Sequence, residues 1–211
     1  MKKRFGLWAW TSCILLVCLL ASLYYNFKGL PYKKAQDQSY SAMLVQSFGT
    51  GLNNALTETD MVIESLRDRA SDASVMQHLG ILSANLKTVE TAFISLDPAF
   101  EVHGASTYLM YNVMTDYYNF VQQDIGLEIN NHALDKDEGR NKIIRSMEMM
   151  REDLAELHRQ FPEDEVAMWK PSRVEAEWQE TVRNIILRKD QLDLYERLKI
   201  KYGFDANDNA S

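Results

Sequence analysis

The sequence predicts an all-α protein, with an N-terminal transmembrane helix followed by an antiparallel bundle of four to five long helices. Three observations lead to this fold class. An uncharged, mostly apolar stretch covers residues 7–27. Beyond it, apolar residues recur at alternating spacings of three and four, which places them on one side of a helix. No segment alternates apolar and polar residues as a half-exposed strand does.

The first element, residues 7–27, has the length and the flanks of a membrane-spanning helix. As a helix it measures about 31 Å, close to the thickness of the hydrocarbon core of a bilayer. Trp8 and Trp10 lie near one end of it, and Tyr24 and Tyr25 near the other. Aromatic rings at both ends suit the two headgroup layers. We therefore expect this segment to be retained as an anchor in the lipid bilayer.

Three other fates of the segment stay open. A signal peptidase would cut after Ala21, although Leu19 puts a bulky side chain at the −3 position of that site. A lipid on Cys18 would make the chain a lipoprotein, despite the apolar residues that follow it. Cleavage after Gly6 would leave a pilin-like chain. These outcomes differ in where the rest of the chain works.

The charges that flank the segment predict its orientation. Three basic residues and the amino terminus precede it and three basic residues follow it, so the positive-inside rule favours a cytoplasmic N-terminus by a narrow margin. We expect a single-pass protein of a bacterial cell membrane. Its predicted parts are a cytoplasmic stub, the anchor, a basic linker, an extracytoplasmic helical bundle and a polar tail, over residues 1–6, 7–27, 28–37, 38–202 and 203–211.

Five apolar runs with heptad spacing predict the helices of the bundle. They cover residues 45–66, 75–96, 109–121, 143–161 and 174–195. Each run places an apolar stripe along one side of its helix, and such stripes are buried between neighbouring helices in bundles and coiled coils.

Helix-breaking and capping residues fall between the runs. Pro98 predicts the end of the second helix, because the residue before a proline is pushed out of helical geometry. Gly139 falls in a polar stretch between the third and fourth helices, and Pro162 ends the fourth. Ser172, three residues before a glutamate, forms a capping-box pattern that predicts the start of the fifth.

Two glycines inside the first run, Gly49 and Gly51, raise the question of a phosphate-binding loop. No strand precedes them and no Lys-Ser or Lys-Thr follows them, so the context of that motif is missing. They favour close packing between helices or a kink.

The charge distribution disfavours nucleic acid as a partner. Residues 1–34 carry six basic side chains and no acidic one, whereas residues 35–211 carry 17 basic and 30 acidic side chains, a net charge of −13. An acidic body repels phosphate backbones and anionic headgroups. Both cysteines, Cys13 and Cys18, lie in the apolar segment, which excludes a disulfide framework in the bundle.

We predict no catalytic, cofactor-binding or metal site, and we do not expect an enzyme. The histidines lack the Glu-x-x-His pairs of di-iron bundles, and the acidic loops do not match the calcium loop of an EF-hand. Methionine sulfurs are ligands for copper(I), but most of these methionines lie on the predicted core stripes, where methionine is an ordinary filler. They are Met110, Met114, Met147, Met149 and Met150.

Helix three carries a candidate ligand pocket. Aromatic and polar side chains are mixed along it, a combination that lines small-molecule pockets but also occurs in bundle cores whose tyrosines reach the surface. The candidate pocket residues are Tyr111, Asp116, Tyr117 and Tyr118.

The loop after the fourth run carries a candidate partner contact. It places Met168 and Trp169 among acidic residues, where an aromatic anchor is a plausible protein contact. The competing interpretation is that these side chains pack over the end of the bundle.

The function that these features predict is a membrane-anchored interaction module, an adaptor or scaffold for another membrane or envelope protein. The alternative is a helical bundle of the cell envelope that binds a small molecule or a metal. The two differ in whether a small ligand or a protein stabilises the folded domain.

Overall fold

A computed structural model describes residues 14–22, 24, 37–187 and 193–204. Within these residues every regular element is helical, which confirms the all-α fold class and the helical bundle. The chain divides into two compact units, Met1–Tyr40 and Ser41–Ser211.

Of the first unit, the structure describes residues 14–22, 24 and 37–40, and residues 14–22 are helical. The rest of the predicted anchor lies outside the described residues, as do the predicted stub, residues 28–36 of the linker and residues 205–211 of the tail. Among the helices of the described residues, none is both long and apolar enough to cross a membrane. The transmembrane helix therefore stays a prediction.

The second unit contains eight α-helices among its described residues. Two segments have the wider π-helical geometry: the first π segment, Val45–Gly51, leads into α1, and the second, Phe120–Ile125, joins α3 to α4. The α-helices are α1 Leu52–Arg67, α2 Asp72–Glu101, α3 Tyr108–Asn119, α4 Gly126–Asn130, α5 Asp137–Gln160, α6 Glu163–Val166, α7 Pro171–Ile186 and α8 Asp193–Tyr202.

The helices α1 and α2 form an antiparallel hairpin across a short turn. The hydroxyl of Ser71 caps α2, because a serine before the first turn accepts a hydrogen bond from a free backbone N–H. Further along the pair, the Asn85 amide donates to the carbonyl of Asn54 at 3.4 Å. At the far end, a Cβ on Gly51 would lie 2.6 Å from Cγ2 of Val89. The prediction of close packing at this glycine is confirmed.

The prediction that Pro98 ends the second helix is wrong, because α2 continues through it to Glu101. The proline lacks the backbone N–H that would donate to the carbonyl of Ile94, four residues earlier. Because Ile94 is half-exposed, the loss of this hydrogen bond near the helix end is tolerated. Burial of Phe100 holds the last turn against the core. Asp97 adds a cap for the following loop by accepting hydrogen bonds from the backbone N–H and hydroxyl of Thr107, at 3.1 and 2.8 Å.

Two further boundaries differ from the predicted ones. Helix α7 begins at Pro171, one residue before the predicted cap Ser172, because proline has a fixed φ and its missing N–H costs nothing in a first turn. Gly139 lies in the first turn of α5, where a Cβ would come within 2.3 Å of the carbonyl oxygen of Ala133. The predicted end of the fourth helix at Phe161-Pro162 is confirmed, since α5 stops at Gln160.

An aromatic cluster forms one end of the core. The rings of Phe48, Phe93, Phe161 and Trp178 are fully buried, and neighbouring ring centroids lie 4.3 to 5.8 Å apart. Such pairs contribute about 0.5–1.5 kcal/mol each beyond the burial of their surface. The cluster joins the first π segment, α2, the end of α5 and α7. It is also the base on which the following loop rests.

Candidate functional site

The connection from α5 to α7, residues 161–170, is the loop that carries the predicted partner contact. It starts at buried Phe161, passes through the short helix α6 and ends at Lys170, before α7. Three exposed acidic residues, Glu163, Asp164 and Glu165, form the first turn of α6. The loop therefore surrounds its other exposed side chains with negative charge.

Trp169 fastens this loop to the aromatic cluster. Its side chain is 7% exposed, and its ring centroid lies 5.6 Å from that of Phe161. On the other side, the Arg173 guanidinium lies 4.0 Å from the centroid of the Trp169 ring. A cation over an aromatic face contributes about 0.5–1 kcal/mol at an exposed site. Trp169 is thus an internal anchor of the loop.

The first π segment fixes the other side of the loop. Gly49 leaves room for the side chain of Glu163, since a Cβ there would lie 2.1 Å from the glutamate Oε1. The hydroxyl of Ser41 donates to the carbonyl of Ala167 at 2.8 Å. Nδ1 of His158, at the end of α5, donates to the carbonyl of Phe48 at 3.2 Å. The Ser41 hydrogen bond and the packing of Glu163 against Gly49 attach the loop to this side of the bundle.

Met168 stands out from this fixed loop. Its side chain is 79% exposed, although the residues on either side of it are buried or half-buried. The backbone is held by two turn hydrogen bonds, from Met168 N–H to the carbonyl of Glu165 and from Trp169 N–H to that of Val166, both at 3.0 Å. Of the two candidate contact residues, Met168 is the one that reaches solvent.

The four candidate pocket residues of α3 point in different directions. Tyr117 faces the core, whereas Tyr111 and Tyr118, seven residues apart, share a half-buried face. The ring of Tyr111 packs on Tyr108 with centroids 5.6 Å apart, and the Lys87 ammonium lies 5.9 Å from the centroid of the Tyr118 ring.

The fourth candidate, Asp116, faces α8. Each of its carboxylate oxygens lies 2.7 Å from the Lys201 ammonium, and the Tyr202 hydroxyl donates to one of them at 2.6 Å. Burial, followed by this hydrogen bond, raises the pKa of Tyr202 well above its usual range. Asp116 thus serves as an attachment point for α8.

A buried carboxylate ties the same helices together deeper in the bundle. Asp153 of α5 is completely buried, and its Oδ2 accepts hydrogen bonds from the hydroxyls of Tyr117 on α3, at 2.9 Å, and of Tyr195 on α8. A buried polar group is costly unless it has such hydrogen-bond partners. This network fixes α8 against α3 and α5.

The second π segment borders a polar cavity of about 310 Å³. Two ion pairs lie in its wall, Arg197 with Asp124 and Lys142 with Glu128. The hydrogen bonds to these carboxylates raise the pKa of both cations. The volume is at the lower end of the range for small-molecule pockets. Next to it, Asp116 lines a cavity of about 230 Å³.

Within the described residues, no three histidine, cysteine, aspartate or glutamate side chains are grouped as a metal site would require. Four of the five methionines considered for copper, Met110, Met114, Met147 and Met150, are buried in the core. Met149 is half-buried.

Sequence reasoning missed Asp153, the one acidic side chain among the fully buried residues that the structure describes. A signal was present, because Asp153 lies three residues after Met150 and four before Leu157, on the apolar stripe of α5. An acid at such a position predicts a buried hydrogen-bond network. Its two tyrosine partners come from distant parts of the chain, and the stripe does not identify them.

No family model matches the chain, and the curated proteins and solved structures yield no match either.

Proposed function

We propose that the protein is a membrane-anchored interaction module, an adaptor or scaffold whose bundle binds another membrane or envelope protein through the 161–170 loop. The observation that carries this proposal is the exposure of Met168, an apolar side chain on a loop that Trp169 anchors to the aromatic cluster. A contact that is ordered before binding loses little conformational entropy when the complex forms. Methionine also adapts to irregular apolar surfaces.

The surroundings of Met168 indicate the chemistry of the partner. Three exposed carboxylates lie three to five residues before it on α6. An apolar recess edged by lysine or arginine would therefore be complementary to the loop. Charges at the rim mainly speed association, while the apolar centre contributes most of the affinity.

The anchor is the second part of the proposal. It is supported by the length and the aromatic ends of residues 7–27, and by the helical conformation of residues 14–22. The apolar side chains of those nine residues are exposed, with Leu15 at 70% and Val17 at 64%. Apolar side chains of this kind gain free energy when they leave water, and a bilayer supplies an apolar surrounding.

A crosslinking experiment with the full-length chain tests the proposed contact. A photoreactive amino acid at position 168 should give one crosslinked species in the membrane fraction of living cells. The matched control is position 102, because Val102 is 76% exposed on a different loop and should give none. The added substitution Glu165→Lys should weaken the crosslink at 168 by reversing a rim charge. Equal crosslinking at 168 and 102, or no effect of the charge reversal, would contradict the proposal.

The polar cavity beside the second π segment favours a second candidate function, the binding of a small charged molecule. π-Helical turns are frequent at functional sites, and this one borders paired ions. A ligand that binds only the folded state raises the melting temperature with its concentration. A panel of small anions, cations and amino acids would test this, and Lys142→Ala should remove any shift that arises at the cavity.

A further inference from the structure

We infer that two copies of this chain pair through α2, in an antiparallel arrangement in which Ile81 of each copy enters a groove of the other. The inference starts from an unusual face of α2. Between Asp72 and Asp97 the only Lys, Arg, Asp or Glu residues are Lys87 and Glu90. Glu90 is buried and its carboxylate accepts from the Lys87 ammonium at 2.8 Å.

The outer face of α2 is therefore uncharged overall for 24 residues, about 36 Å of helix. The remainder of the acidic body, with its net charge of −13 over residues 35–211, repels a second copy. This face has no exposed carboxylate, and its exposed charge is the Lys87 ammonium, which is paired with Glu90. It carries two exposed isoleucines, Ile81 at 42% and Ile94 at 47%. A copy of the chain meets the least repulsion and gains apolar burial at this face.

A groove of about 500 Å³ runs along the same face. Its walls come from the segment that precedes α1, through Met43 and Gln46, and from one side of α2, including Lys87, Ala92 and Ser95. The groove is open to solvent along its length, and small side chains form much of the α2 wall. It has room for an aliphatic side chain that arrives from outside.

The position of Ile81 relative to this groove is what identifies the occupant. At 100° per residue, Ile81 lies on the same edge of the outer face as Ala92 and Ser95, the edge nearer the segment that precedes α1. We place a two-fold axis between positions 87 and 88, perpendicular to the paired helices. This axis brings each edge of the face on one copy next to the same edge on the other copy. It moves Ile81 of the partner to the level of position 94, at the groove end lined by Ala92 and Ser95.

The symmetry repeats this contact, because the interface of a two-fold dimer uses the same patch on both copies. The opposite edge of the face is also compatible with this pairing. There, Ile94 of one copy lies at the level of Gly80 of the other, where an added Cβ would meet nothing within 4 Å. The outer face of α2 is about 36 Å long and a helix is about 10 Å wide, so this helix alone supplies about half of the roughly 800 Å² per partner that a stable interface buries. Met43 and Gln46 at the groove add to this surface.

Crosslinking tests the arrangement, using the full chain with Cys13→Ser and Cys18→Ser and a short bifunctional maleimide. Thr88→Cys, beside the axis, should crosslink to itself. Ile81→Cys and Ser95→Cys should crosslink when the two variants are mixed, and neither should do so alone. Self-crosslinking of Ile81→Cys would indicate a parallel pair and overturn the inference. The absence of crosslinks from Thr88→Cys and from the mixture would overturn it as well.

The mass of the full chain in mild detergent gives an independent measurement. We expect a dimer, and Ile81→Asp should weaken it by about tenfold or more, since both copies lose an apolar contact. The matched control is Ile200→Asp, which changes an isoleucine 82% exposed on α8 and should leave the dimer intact. Far-ultraviolet circular dichroism should be the same for both variants. A monomer in the unsubstituted chain, or a dimer that Ile81→Asp leaves unchanged, would overturn the inference.

Discussion

Replacing Asp153 with alanine removes the acceptor that Tyr117 and Tyr195 share. The carboxylate is fully buried on α5, and its Oδ2 is bonded by hydroxyls from α3 and from α8. The substitution therefore loosens two helices from a third at one point. We expect α8, the last helix of the described chain, to detach more readily than the others.

The magnitude follows from the two hydrogen bonds. Removing the acceptor of a buried donor costs about 1–3 kcal/mol, so the loss of both hydrogen bonds should cost about 2–6 kcal/mol. The total free energy of unfolding of a domain is typically about 5–15 kcal/mol. Asp153→Ala should therefore remove a large part of the stability. Tyr117→Phe and Tyr195→Phe should each remove about half as much, because each deletes one donor.

Urea unfolding of the purified chain, followed by circular dichroism, measures these differences. The matched control is Asp135→Ala, which removes a carboxylate from an exposed turn and should change the free energy of unfolding by less than about 0.5 kcal/mol. Asp153→Asn keeps an oxygen acceptor and should lie between the alanine variant and the unsubstituted chain. If Asp153→Ala unfolds within about 1 kcal/mol of the unsubstituted chain, the network does not hold α8 in the way that its geometry indicates.

Three further predictions concern other parts of the bundle. Gly51→Ala should destabilise the fold by about 1–2 kcal/mol in urea unfolding, because the clash of its Cβ with Val89 outweighs the better helix propensity of alanine, and a stabilised variant would contradict this. Trp169→Ala should lower the free energy of unfolding by about 3–5 kcal/mol in the same assay, because it removes a buried ring. Arg173→Ala should lower it by about 0.5–1 kcal/mol, because it removes only the cation above that ring. Equal losses would refute this ranking. Because the folded state raises the pKa of Tyr202, the unfolded chain loses this proton first, so stability should fall as the pH rises above about 10, and Tyr202→Phe should lessen that fall; an unchanged pH profile would contradict it.

The helices themselves were predictable because their apolar spacing is local and repeated. The runs at 75–96 and 143–161 correspond to α2 and α5, and their stripe residues are buried. The sequence also indicated that Gly51 allows close packing, since a glycine within an apolar stripe has few other uses.

The remaining features depend on contacts between distant residues. Pro98 stays inside α2 because Phe100 is buried and Asp97 bonds Thr107 ten residues further on. The π segments were not predicted, because the apolar spacing of three and four continues through Val45–Gly51 and gives no sign of the wider turn.

The candidate site was predicted in part for the same reason. The acidic and apolar residues around Met168 and Trp169 indicated an unusual loop. Which of the two side chains faces solvent depends on the contacts of Trp169 with Phe161 and Arg173. Similarly, α3 was predicted to line a pocket because aromatic and polar residues are mixed along it. Helical geometry sends Asp116 and Tyr117 to neighbouring faces, so the first binds Lys201 at the surface and the second contacts the core.

In the proposed function, the bundle works while attached to a membrane. The intact mass of the native chain in membrane and soluble fractions is the most direct test of this attachment. We expect the unprocessed chain, with residues 7–27 retained, in the membrane fraction alone. A shortened chain beginning after Ala21 and recovered in the soluble fraction would contradict this. A lipid-sized mass on Cys18 would contradict the retained helix, and cleavage after Gly6 would keep residues 7–27 but contradict an unprocessed chain.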